Sequence, residues 1–184
     1  MLFSIQNFRL SEAQFLESSN QSPRSLGINP DLLIIHNISL PPGEYGGGYI
    51  AKLFSNTLNP LDHPYFEEAH LLKVSSHLLI ERDGSVTQFV PFNQKAWHAG
   101  ESAYCGRDNC NDFSIGIELE GTDFEPFTDI QYVALVEATK LLLANYPSLN
   151  HDRIVGHSDV APGRKTDPGP FFDWARYKSA VTEK

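Results

Sequence analysis

Seven histidines make imidazole the side chain whose placement most needs an explanation in this chain. His36 follows the apolar run Leu32-Leu33-Ile34-Ile35, and His157 follows Ile154-Val155-Gly156. Each run reads as a short buried strand, so each histidine would project from a sheet edge into a cleft built by loops. Ten residues past His157 comes Asp167, and the intervening Ala-Pro-Gly-Arg-Lys is turn chemistry that lets the chain fold back. Two imidazoles, one carboxylate and an open fourth position are the donor set of a catalytic zinc site. The spacing also recurs by chance, so the residues alone leave open two histidines that are each held by one hydrogen bond.

Lys165 stands two positions before Asp167, where it either serves that site or decorates a solvated loop. Glu118 and Glu120 share one face of the alternating stretch Ser114-Ile115-Gly116-Ile117-Glu118-Leu119-Glu120. Carboxylates on an inner strand are costly unless they face a wet cleft, where one of them could act as general base. The alternative is a strand with an acidic outer face. His63, His70 and His77 recur every seven residues, but Pro64 and the strand-like run ending at Ile80 break any helix that would align them. No metal site is expected there. His98, in Ala-Trp-His-Ala-Gly, could line a pocket, and His151 sits in a turn and should be exposed.

The elements that must position these groups are short. Residues 11–30 are polar and turn-rich and read as an entry segment, followed by the Leu32 strand and a Pro-Pro-Gly turn. Tyr49 to Phe54 reads as a short helix, and residues 55–70 as irregular. His77 to Val90 reads as a hairpin about Asp83-Gly84. Thr128 with Gln131 forms a capping box, and apolar residues 130, 133, 134, 138, 141 and 142 predict one face of a helix that runs to Pro147. A last helix is expected over about residues 171–181. Strands and helices mix without a strict βαβ rhythm, which predicts an α/β fold with a mixed central sheet.

The chain has 184 residues, enough for one domain with a real core. It is 41% hydrophobic and 20% charged, which excludes a disordered or low-complexity protein. A net charge of −9 argues against nucleic acid or an anionic lipid surface as partner. Cys105 and Cys110 have neither redox nor zinc-knuckle spacing and are expected to be reduced thiols. No apolar run is long enough to span a bilayer, and the N-terminus does not read as an export signal, so a cytoplasmic location is expected.

The stretches LLIIHNISLPPGEYGG, HPYF, SSHLLIERDG, FVPFNQKAWHAG, GRDNCNDFSIGIELEGTD and GHSDVAPGRKTDPGPFFDW run in this order over about residues 31 to 176. Together they resemble the bacterial N-acetylmuramyl-L-alanine amidases of the AmpD type. These belong to the zinc amidase family shared with phage amidases and peptidoglycan recognition proteins. With residues 1–30 set aside as the N-terminal entry segment, the resemblance implies a single zinc amidase domain at 31–184, with the mixed sheet flanked by helices. It implies one zinc ion per chain on His36, His157 and Asp167. Glu118 would be the general acid/base, and Lys165 would stabilise the oxyanion. Asn37, Lys73, Trp97 and Asn109 would contact substrate. Lys73 and Asn109 stand where the family pattern has arginines, and neither reproduces the bidentate guanidinium fork. Tyr65 lies near the site in the family but is given no catalytic role.

The implied reaction is hydrolysis of the amide between the lactyl group of (1,6-anhydro-)N-acetylmuramic acid and L-alanine, for cell-wall recycling. The implied partner is a small muropeptide, with no protein, nucleic acid or membrane. The competing reading is a domain of this fold that grips muropeptide without cutting it. The presence of both Asp167 and Glu118 favours the enzyme.

Overall fold

The computed structural model describes residues 3–183. A six-stranded sheet forms the centre, in the spatial order Ile154–Gly156, Leu32–Ile38, Ser114–Glu120, Leu78–Ile80, Val86–Gln88 and Gln14–Phe15. The first four strands run parallel. Val86–Gln88 returns antiparallel through the Asp83-Gly84 turn, and Gln14–Phe15 lies parallel to it at the edge. The parallel strands are rich in Leu, Ile and Val, as strands covered on both faces must be.

Side-chain alternation divides the core into two sides. Leu33, Ile35, Ile115, Ile117 and Leu119 face the long helix Asp129–Asn145 and the C-terminal helix Trp174–Thr182. On the opposite side Leu32 and Ile34 pack with Ala99, Cys110, Phe113 and Val160, while Leu79 packs with the short helices Tyr49–Phe54 and Phe66–Ala69. His36 and Glu118 belong to this second side by parity. The parallel register puts Glu118 opposite His36 and Gly116 opposite Ile34.

Four expectations from sequence are revised, the first being that residues 55–70, read as irregular, contain the one-turn helix Phe66–Ala69. His36 is the fifth of seven strand residues and not the last, because pairing with the Ser114 strand continues through Ile38. The long helix has its Thr128–Gln131 capping box, yet Ile130 and Val133 are 48% and 49% exposed. Its buried face is instead Gln131, Tyr132, Ala134, Leu135, Ala138, Thr139 and Leu142. Two polar side chains earn that place by bonding inward. Gln131 Nε2 donates to the carbonyls of Ile80 and Glu120, and Thr139 pairs with the Tyr177 hydroxyl. The C-terminal helix starts at Trp174, where Asp173 caps it by accepting the Arg176 N–H, so Phe171 lies outside it.

Residues of the polar entry stretch are bound into the fold. Gln21–Pro23 pairs with Gln94–Ala96. The Arg24 guanidinium donates to the carbonyls of Phe92, Asn111, Asp112 and Ser114, which gives a partly buried cation the oxygen partners it needs. Cys105 and Cys110 are both free thiols, one exposed and one buried. Among the described residues no helix is long and apolar enough to cross a membrane.

Candidate metal centre and active site

Three side chains meet near the carboxyl ends of the parallel strands, the usual place for a site in an open α/β sheet. His36 comes from its strand, His157 opens the short helix His157–Val160 that follows Ile154–Gly156, and Asp167 returns on the next loop. His36 Nδ1 lies 3.0 Å from His157 Nδ1 and 3.1 Å from Asp167 Oδ2. His157 Nδ1 lies 3.0 Å from the same carboxylate oxygen. Both imidazoles are almost fully buried, at 1% and 3% exposure.

The other ring nitrogens decide what these atoms offer. His157 Nε2 donates to the Ala99 carbonyl at 3.1 Å, so its Nδ1 presents a lone pair to the centre. His36 Nε2 lies 2.9 Å from His98 Nδ1, and His98 Nε2 lies 3.1 Å from Ser114 Oγ. In the tautomer that leaves His36 Nδ1 a lone pair, as a metal ligand needs, His36 Nε2–H donates to His98 Nδ1 and His98 Nε2–H donates to Ser114 Oγ. Two lone pairs and a carboxylate oxygen thus converge on one point. A cation fits that donor set, and among the described residues this is the group of histidine and acidic side chains placed to hold one. Burial lowers the His36 pKa to about 4, which keeps the ring neutral as a ligand must be.

The centre forms one end of a cavity of about 250 Å³ lined by Leu40, Leu53, Phe54, Leu72, Val74 and the polar group His36, Asn37, His98, Glu118, His157, Lys165 and Asp167. Glu118 Oε1 is 4.0 Å from His36 Nδ1, and Glu118 Oε2 is buried without a hydrogen-bond partner. Burial raises the Glu118 pKa well above the ordinary carboxylate value, the Asp167 charge adds to this, and Lys165 opposes it.

The structure therefore gathers His36, His157, Asp167, Glu118, Lys165 and Asn37 around one cavity. Asn37 is fixed by donating to Asp123 and to the Pro168 carbonyl. Lys73, Trp97 and Asn109 do not line that cavity. Lys73 donates to Asn56, Trp97 Nε1 to Ser22, and Asn109 to Asp112. Asn109 borders a neighbouring cleft of about 720 Å³ shared with Gly100 and Arg164. Among the described residues, His63, His70 and His77 are not part of the donor group formed by His36, His157 and Asp167, and His151 is exposed.

Sequence reasoning missed the role of Gly116. A Cβ there would stand 2.5 Å from His98 Nδ1, so only glycine lets that ring lie against the strand. A glycine inside an otherwise apolar strand was the available signal.

A family model of N-acetylmuramoyl-L-alanine amidases matches residues 26–170. The chain is 53% identical over 178 residues to the 1,6-anhydro-N-acetylmuramyl-L-alanine amidase AmpD of Enterobacter cloacae, covering 97% of this chain and 95% of that one. A crystal structure of a Se-Met AmpD derivative superposes with a TM-score of 0.94 at 52% identity, over 99% of this chain and all 100% of the other. The AmiD amidase of E. coli, solved in complex with anhydro-N-acetylmuramic acid-L-Ala-D-gamma-Glu-L-Lys, matches at a TM-score of 0.60 and 27% identity, over 97% of this chain and 65% of that one. With its mixed sheet, its convergent donors and a match across most of its length, the chain belongs to the N-acetylmuramoyl-L-alanine amidase family.

Proposed function

We propose that this protein is a zinc-dependent amidase that cuts the bond between the lactyl carbonyl of 1,6-anhydro-N-acetylmuramic acid and L-alanine in muropeptides. The observation that carries the reading is the convergence of His36, His157 and Asp167 beside a buried Glu118 oxygen that nothing else satisfies. The names of the closely similar relatives support the anhydro-muropeptide as substrate.

His36, His157 and Asp167 would hold one zinc ion, which when bound supplies a Lewis acid that brings the pKa of water to about 7 and polarises a carbonyl. Glu118 accepts the proton of the attacking water at its free carboxylate oxygen. It then delivers that proton to the departing α-amine of L-alanine, since an amide nitrogen leaves poorly without one. Lys165, which lines the same cavity, supplies positive charge for the developing oxyanion. The apolar lining from Leu40, Leu53, Phe54 and Val74 thins the water there and strengthens that charge. Water adds across the amide, so the products are the free lactyl acid and the free amine.

Asn37, which lines the cavity, is assigned to substrate contact. Trp97, Lys73 and Asn109, which lie outside the cavity wall, are assigned to flanking parts of sugar and stem peptide. We place the work in the cytoplasm as muropeptide recycling, a setting that suits the two free thiols. The test is incubation of the purified protein with anhydro-muropeptide, with and without chelator, read by mass spectrometry. Cleavage at the lactyl amide that stops on chelation and returns with zinc is expected. Binding without cleavage by zinc-loaded protein would return the binding-module reading.

A further inference from the structure

Both ligand imidazoles are turned by a single dipeptide. His157 Nε2–H donates to the Ala99 carbonyl, and in the tautomer a metal ligand needs His36 Nε2–H donates to the His98 ring 2.9 Å away. A histidine binds metal through the nitrogen that carries no proton, and the partner of the other nitrogen sets tautomer and ring plane together. The dipeptide is buried, yet it lies in a loop and makes no strand ladder of its own. Its two consecutive N–H groups both need an acceptor. One atom supplies it: Asn111 Oδ1 accepts from His98 N at 3.1 Å and from Ala99 N at 2.8 Å.

The remaining contacts of the dipeptide lock it from other sides. Ser114 Oγ meets the far nitrogen of His98, and Gly116 leaves room for the ring. Arg164 Nη2 donates to the carbonyls of Ala99 and Glu101 at 2.7 and 2.6 Å. Asn111 itself is anchored through its own carbonyl by Arg24.

We propose that Asn111 is a positioning residue for the metal centre: its side-chain oxygen holds the His98–Ala99 backbone, and that dipeptide orients His36 through the His98 ring and His157 through the Ala99 carbonyl. The inference rests on the reading of His36, His157 and Asp167 as metal ligands. Asn111 belongs neither to the donor group nor to the cavity wall, so its effect on the metal travels through the bracket.

The experiment measures zinc affinity by chelator competition, and the absorption spectrum of the cobalt-substituted protein, in wild type, Asn111→Ala, Asn111→Asp and His98→Ala. Asn111→Ala should weaken zinc by about 10- to 100-fold, the usual cost of losing an outer-shell partner, and change the cobalt spectrum. Asn111→Asp keeps an acceptor oxygen in place and should restore affinity to within a few-fold of wild type, which a general loss of folding stability would not predict. Wild-type affinity and an unchanged cobalt spectrum in Asn111→Ala would overturn the proposal, even if that variant melts at lower temperature. If Asn111→Ala does not fold, His98→Ala decides: unaltered zinc affinity there overturns the bracket. A wild-type protein that holds no zinc fails differently, removing the metal reading and the bracket with it.

Discussion

Glu118 and Glu120 point to the same side of one strand, yet only Glu120 is fully engaged. Its Oε1 accepts the Gly46 N–H and its Oε2 accepts the Arg82 N–H, so it fastens two loops to the sheet. Glu118 keeps Oε2 without a partner inside the cavity. Two like residues two positions apart thereby divide into a structural and a chemical one.

Pairing variants separates ligand from proton carrier. Glu118→Gln keeps the shape but cannot carry the proton, so turnover should fall by about 10²- to 10⁴-fold. Zinc content after dialysis should stay near one per chain. Asp167→Ala leaves two imidazoles, and zinc should fall well below one per chain. Zinc loss in Glu118→Gln, or retention in Asp167→Ala, would exchange their roles.

Lys165 is exposed but lines the cavity, and its charge acts on both Glu118 and His36. If it meets the oxyanion, Lys165→Ala should cut kcat by about 10²- to 10³-fold. Steady-state assays should find KM little changed. Near-normal kcat would return Lys165 to the role of a solvated loop cation.

Gly116→Ala tests the close approach of His98 to the sheet. The added methyl would stand 2.5 Å from the ring, and backbone or ring must shift. Overpacking of this kind costs about 1–3 kcal/mol, measurable as a lower midpoint in urea. An unchanged midpoint would mean that the ring is not held where the strand requires glycine.

His77, which is not one of the three donors, supplies a pH test. Its Nδ1 accepts the Gly116 N–H and its Nε2 donates to the Gln94 carbonyl, which fits a neutral ring. Burial, aided by the Arg24 charge, pushes its pKa well below the ordinary value. The unfolded chain takes up this proton near pH 6.5 while the folded chain does not. The contribution is therefore complete above about pH 6.5 and is lost as pH falls below it, by up to about 1.4 kcal/mol per pH unit. His77→Gln should show a correspondingly shallower decline of stability between pH 6.5 and 5. Equal slopes for wild type and variant would show that His77 titrates normally in the fold.

The sequence by itself determined the elements that local chemistry specifies. The apolar runs at Leu32 and Ser114, the Asp83-Gly84 hairpin and the Thr128–Gln131 capping box all form as periodicity and turn chemistry require. The donor types at 36, 157 and 167 were readable for the same reason, since metal-ligand chemistry belongs to the residue. Only the tertiary structure decided that these donors meet. Two of them are separated by 121 positions, and their meeting depends on parallel registers that pair Glu118 with His36 and Gly156 with Ile35. The helix face was misjudged at Ile130 and Val133 because Gln131 and Thr139 find inward partners that hydrophobicity does not register. The Asn111 bracket left no sequence signal at all. A side-chain oxygen bonded to two loop N–H groups has no period, and burial of that loop by the rest of the fold is what makes the bond necessary.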